Sequence, residues 1–286
     1  MYRMSYVLHT LVLDGLSHLN YRLTRPFSSQ FGFAATTFLD GNAMRQNLVY
    51  DWPTRIFHWF FSGLFLTGFF IAKTVDVNSP IFNYHSIVGL TVGFLVLLRL
   101  IWGFIGTQHA RFSGFALNPL DLIKYFQGFY NGQKKRWAGH NPASSWAAVT
   151  MLALALGLVV TGYLMTSGPD KETYEDAHEI FANAFIIIVI LHVSGITLHS
   201  LIFREMIGLS MVDGKKAEVS SDQTIHSSQS VVGFLLIGLL VAFGIHLTNN
   251  YNDQTRRLQF FGTVLQLGDA EETVDSNKSS DSENRE

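Results

Sequence analysis

Along the chain, long apolar stretches alternate with short polar ones, and the apolar stretches are of membrane-spanning length. Five segments lack Asp, Glu, Lys and Arg altogether: 56–72, 77–98, 137–169, 180–203 and 223–252. About 20 apolar residues cross the hydrocarbon core as a helix, so the pattern predicts five transmembrane helices. The first segment has only 17 residues, but Trp52, Pro53 and the amphipathic Lys73 extend it into the interface. Five such runs are more than a soluble all-helical protein of this size is expected to bury, so the fold class expected is an all-α integral membrane protein.

Composition agrees. Of 286 residues, 48% are hydrophobic and 15% charged, as in a polytopic membrane protein with polar ends. Net charge, at -2, excludes little, but the placement of Lys and Arg is informative. If the first helix starts in the cytoplasm, the inner segments hold Arg45, Arg55, Arg111, Lys124, Lys134, Lys135, Arg136, Arg204, Lys215 and Lys216. Only Lys73, Lys171, Arg256 and Arg257 lie near outer helix ends. By the positive-inside rule the N-terminus is cytoplasmic and the C-terminus outside, with Arg256 and Arg257 the weak point for the fifth helix.

Cysteine is absent from the sequence. Disulfides, thiolate zinc sites, cysteine-ligated iron–sulfur clusters and covalent c-type haem attachment within this chain are thereby excluded. Any redox centre must use other ligands, and the chain has 11 histidines. His9, His18, His109, His140, His226 and His246 fall in the N-terminal extension, the basic loop or the ends of the fifth helix, where solvated or interfacial imidazoles are expected. His58, His85, His178, His192 and His199 fall in the apolar segments. Ionisable groups there are costly and face a bundle interior or a cofactor.

Spacing orders these five. His178 and His192 are 14 residues apart on one helix, within about 40° of the same face and about 21 Å apart along the axis. That separation suits two stacked planar cofactors, one near each membrane surface. Helix direction places His58 and His192 in the inner half and His85 and His178 in the outer half. Neutral imidazoles are suitable axial ligands, so the pattern predicts two bis-histidine haem b groups, with His58, His85, His178 and His192 as iron ligands. His199, seven residues beyond His192, stays open as an alternative inner ligand, or as a neighbour of a haem propionate or a quinone. Gly89 and Gly195 leave room beside His85 and His192. Arg99 and Arg55 either snorkel to the interface or bind propionates.

The motifs "VYDWPTRIFHW", "LLRLIWGFIG", "ARFSGF", "GHNPASSWAAVTMLALALGLVVTGY" and "HEIFANAFIIIVILHVSGITLHSLIFREMIGLSMVDGKK", in that order, resemble the bacterial cytochrome b561 family, which includes the b-type cytochrome subunits of nickel–iron hydrogenases. The resemblance covers roughly residues 48–216. It implies a four-helix di-haem transmembrane bundle, to which this chain adds a C-terminal transmembrane helix, and carried over by motif the ligands are again His58, His85, His178 and His192. It also implies electron relay between a quinone pool and a redox partner: a hydrogenase or other dehydrogenase subunit, or a periplasmic cytochrome c. The implied location is the bacterial inner membrane, with lipid and quinone or quinol as further partners; no nucleic acid is expected. Proton exchange with quinone would fall to His199, Arg99 or Arg111.

Residues 1–43 precede the family pattern and read as an extension, with Met44 a natural start. Residues 44–216 are expected to form the cytochrome domain, 217–252 a linker and the fifth helix, and 253–286 a polar, acidic, disordered tail. A self-contained quinol or superoxide oxidoreductase is the rival within redox chemistry. A haem-free transporter or proton channel using a histidine relay is the rival outside it, disfavoured because Glu179 is the lone carboxylate at the edge of these spans.

Overall fold

The computed structural model describes residues 46–132, 137–167, 171–217 and 219–268. The expected extension at 1–43, Met44, and the basic residues Lys134, Lys135 and Arg136 lie outside the described residues. Among the described residues five helices are long and apolar enough to cross a membrane. They are α1 (Trp52–Thr74), α2 (Asn83–Ile105), α4 (Pro142–Ser167), α5 (Lys171–Phe203) and α6 (Ser230–Asn249). A short helix α3 (Pro119–Tyr130), not expected from the charge-free pattern, lies between α2 and α4. Its sequence, PLDLIKYFQGFY, is amphipathic, and Asn118 caps it by accepting from the Leu120 N–H.

Successive spans run in opposite directions. The beginnings of α1, α4 and α6 and the ends of α2 and α5 meet at one end of the bundle, called here the His58 end. Strand β1 (Gln46–Leu48), before α1, pairs antiparallel with β2 (Lys215–Ala217), which follows α5. Gly214, in the left-handed region at φ 79°, turns the chain into β2, and its carbonyl accepts from the N–H groups of Val49 and Tyr50. Asp51, fully buried, holds this end together. One carboxylate oxygen accepts from the Thr54 N–H at 2.8 Å, capping α1. The other accepts from Trp102 Nε1 at 3.2 Å and Thr107 Oγ1 at 2.6 Å, at the end of α2.

Helix α5 packs on α4, α4 on α2 and α2 on α1, while α6 lies against α1 and α2. Close approach of α6 uses Gly233, where an added Cβ would stand 3.0 Å from Ile56 and Trp52 atoms. Farther along, Phe94 and Phe243 stack at 4.3 Å between centroids. At the bundle centre Val92, Val96, Ala155 and Phe185 form a buried cluster.

The region after α6 corrects the expected tail. Instead of becoming irregular at residue 253, the chain forms a three-stranded antiparallel sheet, β3 (Tyr251–Asn252), β4 (Arg257–Phe260) and β5 (Thr263–Gln266). The reason is alternation: Leu258 and Leu265 face the bundle and pack with Leu267 against Ile87, Phe243 and Leu247, while Arg257, Gln259 and Gln266 face outward. Arg256 is buried and donates to the Asn78 carbonyl, so it is used in structure rather than displayed as a surface charge. Residues 269–286 lie outside the described residues.

Replacing Asp51 by Ala would leave two buried side-chain donors and a helix N-terminus unpartnered, at roughly 1–3 kcal/mol each. Asp51→Ala is expected to lower stability in detergent by at least about 3 kcal/mol, read by thermal unfolding, with Asp51→Asn recovering part of the loss.

Candidate functional site

The histidines of the spans fall into pairs. On α2 and α5, His85 and His178 face each other with ring centroids 6.1 Å apart, at 74° between planes. Each ring is fixed through Nδ1, that of His85 on the Gly68 carbonyl of α1 at 2.9 Å and that of His178 on Thr161 Oγ1 of α4 at 3.0 Å. With Nδ1 engaged, Nε2 is the nitrogen left to bind something else. Glycines open the space, since a Cβ at Gly68 or Gly162 would touch the His85 or the His178 ring and one at Gly89 would meet nothing within 4 Å.

At the other level His58 of α1 and His192 of α5 lie within electrostatic reach of each other. The Nδ1 of His58 is buried without a hydrogen-bond partner. Gly63, five residues along α1, and Gly195, three residues along α5, both border open space in which a Cβ would meet nothing within 4 Å. His199 is placed elsewhere: its ring packs on Phe203 at 4.7 Å and on Phe129 of α3 at 6.3 Å. Among the described residues no group of three or more His, Cys, Asp or Glu gathers as a metal cluster, so the imidazoles are organised by two.

Between the levels stands Phe185, seven residues from both His178 and His192 on α5 and 1% exposed. Its ring lies 4.0 Å from Phe65 and 5.8 Å from Phe61, both on α1. These rings fill the bundle centre with apolar side chains. Its period-of-seven position was visible in the sequence, yet nothing distinguished it there from the other phenylalanines.

The arginines take different roles. Arg99 does not snorkel to the surface: it is 7% exposed, donates through Nη2 to the Ala110 carbonyl at 3.0 Å, and lies over the rings of Phe57 and Phe112. Its Nη1 is buried without a partner. Arg55 donates through Nη2 to the Val212 carbonyl and lies over Trp52, while its Nε is buried without a partner. Arg111 stays exposed on the loop after α2.

Three of the histidines expected to be solvated or interfacial make specific contacts. His109 Nε2 meets the Gln223 carbonyl at 2.7 Å. His246 packs on Phe261 at 5.3 Å, with Nε2 buried. His140 sits between Phe115, at 4.7 Å, and Tyr50, at 5.5 Å, with a buried, unpartnered Nδ1. Burial, reinforced by Lys216, Arg99, His109 and His192, brings the His140 pKa down to about 3.

Residues 49–214 match the prokaryotic cytochrome b561 family. The chain belongs to that family. It is therefore a multi-pass membrane cytochrome of the b type, an electron-transfer protein that carries haem b. The chain is 25% identical over 210 residues to a "Probable Ni/Fe-hydrogenase B-type cytochrome subunit" of Rhizobium leguminosarum bv. viciae, covering 59% of this chain and 87% of the relative. It is 23% identical over 210 residues to a protein of the same name in Bradyrhizobium diazoefficiens, covering 59% and 85%. To a "Probable Ni/Fe-hydrogenase 1 B-type cytochrome subunit" of Escherichia coli K12 it is 24% identical over 144 residues, covering 42% and 60%. No solved structure matches the chain.

The donor set of this b561-family chain fits haem b. The His85–His178 pair, with Nδ1 held and Nε2 available, and the His58–His192 pair are donor sets that suit haem iron. A separation of 6.1 Å between ring centroids is what a metal between two ring nitrogens imposes at about 2 Å per bond. Unpartnered donors on Arg99 and Arg55 supply positive charge at the His58 end, as a carboxylate-bearing porphyrin requires.

Acid should expose the state of His140. Its folded pKa lies below the ordinary 6.5, so the unfolded chain takes up the proton first and stability is lost as pH falls from about 6.5 towards about 3. Melting temperature measured across that range is expected to fall more steeply in the wild type than in His140→Asn.

Proposed function

We propose that this cytochrome holds two haem b groups in a bundle formed by α1, α2, α4 and α5, with α6 added against α1 and α2. His85 and His178 would hold one iron and His58 and His192 the other. The single observation that supports this most is the His85–His178 pair, whose rings are spaced for one shared metal while their Nδ1 atoms are held by Gly68 and Thr161. Iron binding through Nε2 would leave the Nδ1 atoms of His85 and His178 on the Gly68 carbonyl and the Thr161 hydroxyl, which would fix ring orientation and ligand basicity. Arg99, with Arg55 as a weaker candidate because Val212 already engages it, would neutralise propionate charge at the His58 level. Packing of His199 on Phe129 and Phe203 favours His192 over His199 as the inner ligand.

When bound, haem b supplies a one-electron carrier alternating between ferric and ferrous iron. The protein's part is to place two such carriers at the two levels of α5, about 21 Å apart along its axis, and to keep the space between them apolar with Phe61, Phe65 and Phe185. The function we infer is electron relay across the bilayer between the quinone pool and a redox partner. The names of the relatives favour a nickel–iron hydrogenase as that partner, over another dehydrogenase subunit or a periplasmic cytochrome c.

Orientation follows from charge. The His58 end carries Arg55, Arg111, Lys124, Arg204, Lys215 and Lys216, against Lys73, Lys171, Arg256 and Arg257 at the other end. Since Arg256 is consumed in a buried hydrogen bond, the asymmetry is stronger than the count alone. We place the His58 end and the N-terminus in the cytoplasm, with the protein in the bacterial inner membrane.

The deciding experiment is pyridine haemochrome quantification with reduced-minus-oxidised spectra of the detergent-purified protein. About two haems per chain are expected, with His58→Ala, His85→Ala, His178→Ala and His192→Ala each losing haem and His199→Ala losing little. Wild-type protein that is folded but free of haem would overturn the proposal. Removal of the His178 partner in Thr161→Val is expected to weaken haem retention about 10–100-fold. Gly195→Leu fills space that no protein atom occupies, so haem loss there without loss of thermal stability would identify that space as the porphyrin's.

A further inference from the structure

At the His58 end a group of buried and half-buried polar side chains, Lys216, Tyr50 and His140, leads toward His192, which His140 reaches electrostatically. Lys216 lies on β2, and its ammonium nitrogen donates to the Gly139 carbonyl at 2.8 Å, the Trp137 carbonyl at 3.3 Å and the Tyr50 hydroxyl at 3.5 Å. All three acceptors are uncharged. The same nitrogen stands 5.2 Å over the Tyr50 ring, and Tyr50 contacts His140 edge to face. His140 in turn lies within electrostatic reach of Lys216, Arg99, His109 and His192.

The charged and titratable groups around Lys216 come from every neighbouring element. Tyr50 and Asp51 precede α1, Arg99 lies in α2, His109 follows it, His140 precedes α4 and Glu205 follows α5. Two of the cations differ in kind. A guanidinium keeps its proton at any working pH, so Arg99 is a fixed charge. A lysine amine is compact and changes protonation readily when buried. The cluster thus combines one permanent charge and one exchangeable charge beside the inner histidine pair.

Resting on the reading of His58 and His192 as the inner haem ligands, we propose that Lys216 is the proton-exchanging counter-charge of that redox centre. As the centre gains one electron from its redox partner, Nζ of the neutral amine forms one N–H bond with a proton given up by a hydronium ion of the cytoplasmic water, whose O–H bond breaks. On reoxidation that N–H bond breaks and the proton re-forms an O–H bond with a solvent water. Tyr50 and His140 orient and insulate the lysine, and the Gly139 and Trp137 carbonyls hold Nζ in either protonation state through its N–H donors. Burial brings the Lys216 pKa from 10.5 down to about 8, while Glu205 opposes the fall. The exchangeable range therefore lies just above neutrality, and an added electron nearby raises the pKa again.

Redox potentiometry of the purified cytochrome in nanodiscs between pH 6.5 and 9.5 tests this, with haemochrome content measured on the same samples. The wild type should show one haem component with a flat potential below about pH 8. Above that pH its potential should decline, by at most a tenfold change in the reduction equilibrium per pH unit, or 59 mV for one electron. Lys216→Arg, with a fixed charge, should keep the low-pH potential throughout. Lys216→Met, with none, should be flat and less positive. A wild-type potential independent of pH, or a slope that survives unchanged in both variants with two haems bound, would overturn the role of Lys216 alone. Absence of haem from the wild type would overturn the ligand reading beneath it as well.

Discussion

An imidazole placed between apolar helices has two ring nitrogens to satisfy and no water with which to satisfy them. Much of this structure follows from that constraint. In the His85–His178 pair one nitrogen of each ring is already committed, to the Gly68 carbonyl for His85 and to Thr161 for His178. The two rings stand 6.1 Å apart between centroids, a spacing that would suit one metal shared by their remaining nitrogens. The helices must then hold their spacing, which explains why glycines line α1, α2 and α4 where the rings approach and why Phe185 occupies the centre of the bundle.

The His58 end adds charge to this frame. Asp51 ties the start of α1 to the end of α2 through Thr54, Trp102 and Thr107. Beneath it Arg99 is buried among aromatic rings with one guanidinium nitrogen unpartnered. A cation kept in so apolar a place costs free energy unless it faces an anion or an electron-rich centre. The β1–β2 pairing brings Lys216 to the same neighbourhood, so both strands of that small sheet serve to aim a side chain rather than to build a core.

The family match ends at residue 214, and the described chain continues for another helix and a sheet. Helix α6 covers α1 and α2 on one side, and the sheet of residues 251–266 packs its Leu258 and Leu265 over Ile87 and Leu247 at the far end. The sheet touches the start of α2 at Ile87, two residues from His85, and α6 packs farther along it at Phe94, so both buttress the helix that presents that histidine without contributing an imidazole to either pair.

What the sequence determined by itself is what depends on one helix at a time: the length of the apolar runs, the 14-residue interval of His178 and His192 on one face, and the absence of any thiolate ligand. Those properties are periodic and local, so they survive without knowledge of neighbours. The partners of each ring nitrogen, the burial of Arg99 and His140, and the meeting of Lys216 with Gly139 depend on which helices pack together and at what depth. Only the tertiary structure decided these. The sheet at 251–266 was missed for a related reason: its apolar residues are few and alternate with polar ones, so their burial becomes evident only when the bundle supplies the surface they cover.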